Sequence, residues 1–515
     1  MAHRTLEQHI SVDMTHKKRC NETGWGLYAS TNIAAREAII SIERPLVISL
    51  DIPRLKDTCY ECLGYGSEAY RNPERIAWEE DKKLQVCTGC HVVRYCSKEC
   101  QTLSWKSVHK HECSLFARLH PNILPNNVRA ILQLLLLRKA NRLPHGEWDA
   151  FMNLESHLQQ WESRNGRQWE DIGLMARGTK EYAGTDLSEE TLREVFGKLL
   201  VNCFTMVSPF YDPLGLALHP LAALVNHSCN YNAFVRFDTS SHCLSVLALR
   251  PIARDEQIVV SYIDATNPRH VRQKELQDKY FFDCACSKCS DYVTKEEGVP
   301  QLPESSEHLL VEQRAFELLA AAQKDTSITG PIQKCQYGIH ILRKTGAWPL
   351  HRQPLASLRQ QLVVSLIAAG QIHLAFVHAW IQYRSIDPKL MTEKHHPIRL
   401  VHLWLVIVLL KRIYFASFSP TDLPIQKYTI TSNSIMHIKL IHYLHWALMK
   451  RVGDDDDGTF AQVVRHHFIQ DGGYEKQRYP IAKRDDFLKE AEKLKACTTE
   501  ILEKELVWGE SGAAA

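Results

Sequence analysis

The chain has 515 residues, with 62 Lys and Arg against 59 Asp and Glu and a formal charge of +3. So even a balance excludes the electrostatic footprint of a dedicated nucleic-acid binder, and direct nucleic-acid binding is not expected as a primary role. The length exceeds what one hydrophobic core serves and implies two to four domains.

Met1 to Ile10 place charges and histidines where a secretory signal needs an apolar core, so export is not expected. Sixteen cysteines in such a chain point to a reducing compartment, where thiolates bind zinc more often than they form disulfides. Residues 21–50 read as strand, turn, strand, strand, with Gly24-Trp25-Gly26 opening the first strand and the apolar run Ala38 to Ile48 following. Alone, the two glycines mark a tight turn or a bulge.

Next comes a dense array: Cys59-x-x-Cys62, Cys87-x-x-Cys90, Cys96-x-x-x-Cys100 and His109-x-x-x-Cys113. These ligand types suit two tetrahedral zinc sites. A two-residue spacing lets a turn aim both thiolates at one ion, and an i, i+4 spacing predicts that Cys96 and Cys100, like His109 and Cys113, share a helix face. His111, two residues before Cys113, is badly placed for such a pair. Leu63 to Val86 predicts a protruding surface loop.

Helices are predicted across 121–200, where Val128 to Leu137 is nearly all apolar and Trp148 to Leu158 has helical period. Val201 to Met206 reads as a buried strand. Leu221 to Val225 is an apolar approach to Asn226-His227-Ser228-Cys229, which alone is a polar turn. Gln257 to Tyr262 is a β-type run, and Tyr280-Phe281-Phe282-Asp283-Cys284-Ala285-Cys286-Ser287-Lys288-Cys289 carries a Cys-x-Cys-x-x-Cys spacing that can bind metal. Cys20, Cys203, Cys243, Cys335 and Cys497 have no partner at ligand spacing.

From about residue 300 strand signals vanish, and helices are predicted near 307–323, 331–344, 354–382, 396–417, 432–450 and 482–506, punctuated by prolines. The apolar run Leu400 to Leu410 is interrupted by His402 and stopped by Lys411-Arg412, well short of the roughly 20 residues a spanning helix needs; it predicts a buried helix and no membrane partner. A repeat of about 34 residues is not visible. Gly453 to Gly458 reads as a solvated loop and Ser511 to Ala515 as a frayed tail.

In this order, the stretches at 59–113, 226–229, 257–262 and 280–289 resemble SET-and-MYND-domain (SMYD) protein-lysine methyltransferases. The resemblance implies an interleaved finger, with Cys59, Cys62, Cys96 and Cys100 on one zinc and Cys87, Cys90, His109 and Cys113 on the other. It brings Cys229 together with Cys284, Cys286 and Cys289 on a third zinc. It implies S-adenosylmethionine as cofactor, approached by Gly24, Trp25, Gly26, His157, Asn202, Asn226, His227, Tyr262 and Phe282. It also implies a lysine channel walled by Phe204, Tyr262 and Tyr280, with Tyr262 as the catalytic residue. Asn230-Tyr231-Asn232 stands where the family commonly has Asp-Pro-Asn, and Arg254-Asp255-Glu256-Gln257-Ile258 where it has Gly-Glu-Glu-Leu. These departures imply a divergent member of an arthropod-type branch.

The expected fold class is α+β. The implied domains are the N-terminal part of a split SET domain (1–58), the MYND finger (59–113), a helical insert (114–200), the core SET domain (201–263), a post-SET zinc segment (264–292) and an all-α, tetratricopeptide-like domain (300–515). The implied function is methyl transfer to a lysine of a histone or non-histone protein, in chromatin regulation, by a monomer of the cytoplasm and nucleus. Two alternatives stay open: a weak or inactive SET-domain adaptor whose finger binds proline-rich corepressor peptides, and a zinc-stabilised helical scaffold. The retained Tyr262 and Asn226-His227 favour the enzyme; the altered turns favour the adaptor. The substrate protein and the number of methyl groups added are not written in the motifs.

Overall fold

The computed structural model describes residues 14–20, 24–64, 83–238, 241–290, 306–416, 437–453, 456, 458–470 and 484–507. Most of the loop expected within Leu63 to Val86, most of the Asp454 to Asp457 run, the stretch Met1 to Ile10 and the tail from Ser511 lie outside the described residues. The chain divides into two compact units, one built chiefly from residues up to 290 and one chiefly from residues beyond.

In the first unit β1 (Thr15–Cys20), β2 (Gly24–Ala29), β3 (Ala38–Ile42) and β4 (Val47–Leu50) precede the finger, which holds β5 (Gln85–Val86) and β6 (Arg94–Tyr95). After the helical insert come β7 (Phe204–Val207), β8 (Pro213–Leu218), β9 (Asn226–His227), β10 (Ala233–Asp238), β11 (Cys243–Ala248) and β12 (Val259–Val260). They form small sheets, β1-β2, β10-β11-β3, β4-β8-β7 and β5-β6, all antiparallel. Strands β9 and β12 pair in parallel, with Asn226 opposite Val259 and His227 opposite Val260. The branched residues Ile39, Ile40 and Ile42 of β3 are buried, as strands of this composition require when a face must be covered. They share a core with Cys59, Cys90, Val93 and Tyr95, so the finger is packed into the SET core rather than tethered to it.

The helix Asn126–Lys139 is buried almost all round, which explains its lack of a polar stripe. Its two buried polar residues serve the neighbouring strand. Arg129 donates from Nε to the Leu124 carbonyl at 3.0 Å and from Nη2 to the Leu50 carbonyl, while Gln133 Oε1 accepts the Ile48 N–H at 3.3 Å. Two of the three guanidinium nitrogens and the Gln133 oxygen are thereby matched to backbone groups of the neighbouring segments.

The structure corrects four local expectations. Cys96 precedes the helix Lys98–Ser104 instead of lying on it, because Ser97 caps that helix by accepting from the Cys100 N–H. The Trp148–Leu158 segment is not one helix: helix Glu147–Met152 ends, and a new one begins at Leu158. The Glu155 carboxylate takes the backbone N–H groups of Ser156 and His157, both at 3.0 Å, in place of helical bonds. Val201 and Asn202 end the helix Glu189–Asn202, and the strand starts only at Phe204. Finally, the Gln257–Tyr262 run is a strand only at Val259–Val260.

The regular elements among the second unit's described residues are all helices: Ser306–Lys324, Gly330–Lys344, Leu355–Ala368, Ile372–Ile381 continued by Gln382–Ile386 and Asp387–Leu390, Pro397–Ala416, His437–Val452, Thr459–Gln470 and Arg484–Val507. Successive helices pack on one another, and the last folds back onto Gly330–Lys344. No helix among the described residues is long and apolar enough to cross a membrane. Leu403, Trp404, Val406, Ile407, Leu409 and Leu410 are buried as expected.

The returning helix is fixed by charge. Glu505 accepts two hydrogen bonds from Arg359, at 2.7 and 2.9 Å, and Arg359 is fully buried beside His378 Nδ1 at 2.9 Å. Burial, aided by the Arg359 charge, holds His378 well below the usual histidine range, so the ring is the neutral acceptor. Glu505→Gln leaves that guanidinium without its counter-charge. We expect a loss of about 3–5 kcal/mol in the stability of this unit, read as a lower denaturant midpoint.

Candidate active site and zinc centres

Three clusters each gather four ligand atoms within 4.8 Å of one another: Cys59, Cys62, Cys96 and Cys100; Cys87, Cys90, His109 and Cys113; and Cys229, Cys284, Cys286 and Cys289. Measured Sγ···Sγ separations are 3.5 Å for Cys62–Cys96 and Cys96–Cys100, 3.9 Å for Cys87–Cys113, and 4.0 and 3.6 Å for Cys229 to Cys284 and Cys289. A tetrahedron with zinc–sulfur bonds near 2.3 Å has edges of ~3.8 Å, whereas a disulfide needs ~2.05 Å. The residues therefore fit zinc, and the interleaved pairing expected for the finger is the one the fold assembles.

His109 is the fourth ligand of the second cluster, with Nε2 3.4 Å from Cys87 Sγ and 3.7 Å from Cys90 Sγ. Its other nitrogen, Nδ1, lies 3.4 Å from Glu112 Oε1, and Glu112 also accepts from the Tyr60 hydroxyl at 2.7 Å. This carboxylate fixes the tautomer that turns Nε2 to the metal. His111 stays outside the cluster.

The third cluster leads into the pocket. Strand β9 presents Asn226 and His227 because β12 pairs with it, and the Ser228 N–H closes the pairing on the Val260 carbonyl at 3.0 Å. Asn226 Nδ2 donates to the Trp25 carbonyl at 3.1 Å, drawing the glycine turn against β9. Gly24 has φ +72°, and a Cβ on Gly26 would fall 2.4 Å from Gln257 Nε2 and 2.8 Å from Asn226 Nδ2. Glycine leaves room for both amides, which a Cβ here would push aside. Gly26→Ala is expected to displace Asn226 and weaken cofactor binding at least tenfold by calorimetry, with zinc content unchanged.

His227 Nδ1 accepts the Tyr262 N–H at 3.0 Å, so its proton sits on Nε2, 3.3 Å from Cys229 Sγ. Burial pushes this ring down to about 4, which keeps it neutral. One imidazole thus ties a zinc ligand to the backbone of Tyr262. The Tyr262 hydroxyl donates to the Val225 carbonyl at 2.7 Å, and burial holds its pKa above the usual phenol range. Its ring lies 4.9 Å from that of Tyr280, whose hydroxyl donates to the Tyr262 carbonyl at 3.4 Å. Phe282 faces His227 at 5.9 Å between ring centroids.

Gly24, Trp25, Gly26, Asn226, His227, Tyr262, Tyr280 and Phe282 are linked by these contacts. Phe204 packs against the same core as Tyr262. Asn202 donates to the Glu155 and Lys198 carbonyls, both at 2.8 Å, and His157, at φ +51°, packs against Phe281 with ring centroids 5.2 Å apart and planes tilted by 45°. These two residues thus stand on the helical insert and are not joined directly to Asn226. His157 Nδ1 and Gln257 Nε2 are buried without a hydrogen-bond partner among the described residues, and Trp25 is 58% exposed. Unspent polar atoms and an exposed indole fit a site that awaits a polar, partly aromatic ligand. Gln257 and Phe281 were not singled out by sequence; the positive φ of Phe281 has no signature in its residue type.

A SET domain model matches residues 24–263. The "SET domain and MYND-type zinc finger protein 6" of Schizosaccharomyces pombe is 33% identical over 53% of this chain and 52% of its own length. Human "Histone-lysine N-methyltransferase SMYD3" is 29% identical over 42% and 53%, and human "N-lysine methyltransferase SMYD2" is 31% identical over 40% and 48%. The matches span about half the length of these curated relatives. Residues 24–263 thus match a SET domain and enclose the two interleaved ligand clusters at 59–113, and the chain is similar to a protein named for a SET domain and a MYND-type zinc finger.

Proposed function

We propose that the chain is an S-adenosylmethionine-dependent protein-lysine methyltransferase. The observation that carries this reading is the linked set Cys229–His227–Tyr262–Tyr280, which places a protonated phenol in an aromatic cage beside the glycine turn. The names of the human relatives, which specify lysine methyl transfer, support it.

The cofactor would supply an electrophilic methyl group. Gly24-Trp25-Gly26, Asn226 and His227 would hold it through backbone and amide groups, His157 and Asn202 would reach it from the insert, and Phe282 would offer an aromatic face. The walls from Phe204, Tyr262 and Tyr280 would strip water from an incoming ammonium, and desolvation lowers the pKa of a lysine, favouring the neutral amine that can attack. The Tyr262 hydroxyl, kept protonated by burial, would exchange the Val225 carbonyl for the reacting centre and hold amine and methyl in line.

Substrates would be histone or other proteins with an accessible lysine, in the nucleus and cytoplasm. The exposed Leu103 and Trp105, at 56% and 48%, support a second proposal, that the finger docks proline-rich corepressor peptides. Titration calorimetry with S-adenosylmethionine, and transfer of labelled methyl to core histones and to a whole-cell extract, tests the enzyme. Binding lost in an Asn226→Ala/His227→Ala variant is the expected result. No binding by the intact, zinc-loaded protein would sink the enzyme reading and favour the adaptor.

A further inference from the structure

Resting on that reading of the pocket, we infer that Lys279 is a positioning residue whose ammonium keeps a fixed positive charge at the wall of the tyrosine channel, so that the channel admits a substrate lysine as the neutral amine.

The helix Arg269–Tyr280 ends on two residues that point into the same corner. Tyr280 is buried against Tyr262, while Lys279 is exposed along its stem and turns its Nζ back to 5.0 Å from the centroid of the Tyr280 ring. That ring carries the hydroxyl that reaches the Tyr262 carbonyl at 3.4 Å. The charge is therefore one phenol removed from the backbone of the proposed catalytic tyrosine.

The titratable and charged groups around it come from three helices. From the end of helix Glu189–Asn202 comes the Cys203 thiol, which burial pushes up and so keeps protonated. Glu275, on the preceding turn of its own helix, is pushed up by burial and by the Asp264 charge, and it acts on Tyr280. From helix Leu158–Arg164, Arg164 adds a second cation, stacked 4.3 Å over Phe281 and bound to the Gln277 and Asp278 carbonyls. Burial works against the charged form of Lys279, but Tyr280 and Cys203 together outweigh it and hold its pKa above the usual lysine value.

Two cations on either side of one phenol repel, and the one free to lose a proton does so. A substrate ammonium would release its proton to water on entering, before the N–CH₃ bond forms and the S–CH₃ bond breaks. The sulfonium and the amine meet in this channel, so a charge that acts on one acts on the other. A charged Lys279 therefore also weakens S-adenosylmethionine relative to S-adenosylhomocysteine, which lacks the positive charge.

That comparison needs no acceptor protein. Calorimetric affinities for the two ligands should give a ratio that shifts about three- to tenfold towards S-adenosylmethionine in Lys279→Met and stays unchanged in Lys279→Arg. With core histones as acceptor, the acidic limb of the kcat/KM profile should move up by about one pH unit in Lys279→Met and return in Lys279→Arg. An unaltered ligand ratio in Lys279→Met, with both ligands bound, overturns this inference alone. Binding of neither ligand by the unsubstituted protein overturns the methyltransferase reading and this inference with it.

Discussion

Serine in place of Cys229 is expected to cut zinc from three ions per chain to two and to abolish binding of S-adenosylmethionine. Cys229 is 2% exposed and meets Cys284 and Cys289 across 55 and 60 residues of chain. The metal is therefore the clasp that brings Tyr280 and Phe282, just ahead of Cys284, beside β9. His227 shares the damage, because its Nε2 faces the Cys229 sulfur while its Nδ1 holds the Tyr262 N–H. Structural zinc contributes its binding energy to folding, so a loss on the order of 3 kcal/mol or more follows, a fall of roughly 6–12 °C in the melting temperature of this unit. Elemental analysis with calorimetry decides it. Three ions retained together with normal ligand affinity would show that the clasp is dispensable.

Tyr262→Phe should separate binding from chemistry. The hydroxyl has one partner in the unliganded site, the Val225 carbonyl, so its removal costs about 1 kcal/mol of stability and leaves the ring packing on Tyr280 intact. Affinity for S-adenosylmethionine should stay within about threefold, while the single-turnover rate of methyl transfer falls by roughly 10²–10³, the usual effect of losing a donor aimed at the reacting centre. A variant that keeps half the rate would remove Tyr262 from the mechanism. Equal loss of binding and rate would make it a structural residue.

The finger's ligands were legible in the chain, because a chelate declares itself by residue type and short spacing, and His109 over His111 follows from spacing alone; their interleaved pairing and the distant Cys229 were legible only through resemblance. Asn226, His227 and Tyr262 were legible through resemblance and then met in the fold. Less could be read where a distant partner decides local structure. The break at Asn153–His157 packs against Gly197, where a Cβ would lie 2.7 Å from the Ser156 carbonyl, a closeness that helical period cannot report. Val201 and Phe204-Thr205 look alike as strand formers, yet the first sits inside a helix capped by Ser188 at its far end. Ser97 was an available signal for the helix start that the interest in Cys96 and Cys100 obscured. Lys279 carries no motif, and its position shows only once the Tyr280 ring is placed.

The alternation of ligands in the finger has a consequence for how the segment comes into being. Each ion takes two donors from one stretch and two from a stretch beyond the other ion's first pair, so neither loop can close without trapping part of its neighbour. Half a finger is then not a stable intermediate: the first ion pays the chain entropy for both loops, and the second arrives at donors already gathered. Because Cys59, Cys87, Cys90 and Cys113 are also members of the SET core, that same event commits β3 and β11 to their packing. A zinc-starved chain is therefore expected to be caught as an unfinished first unit rather than as a finished one lacking an accessory module.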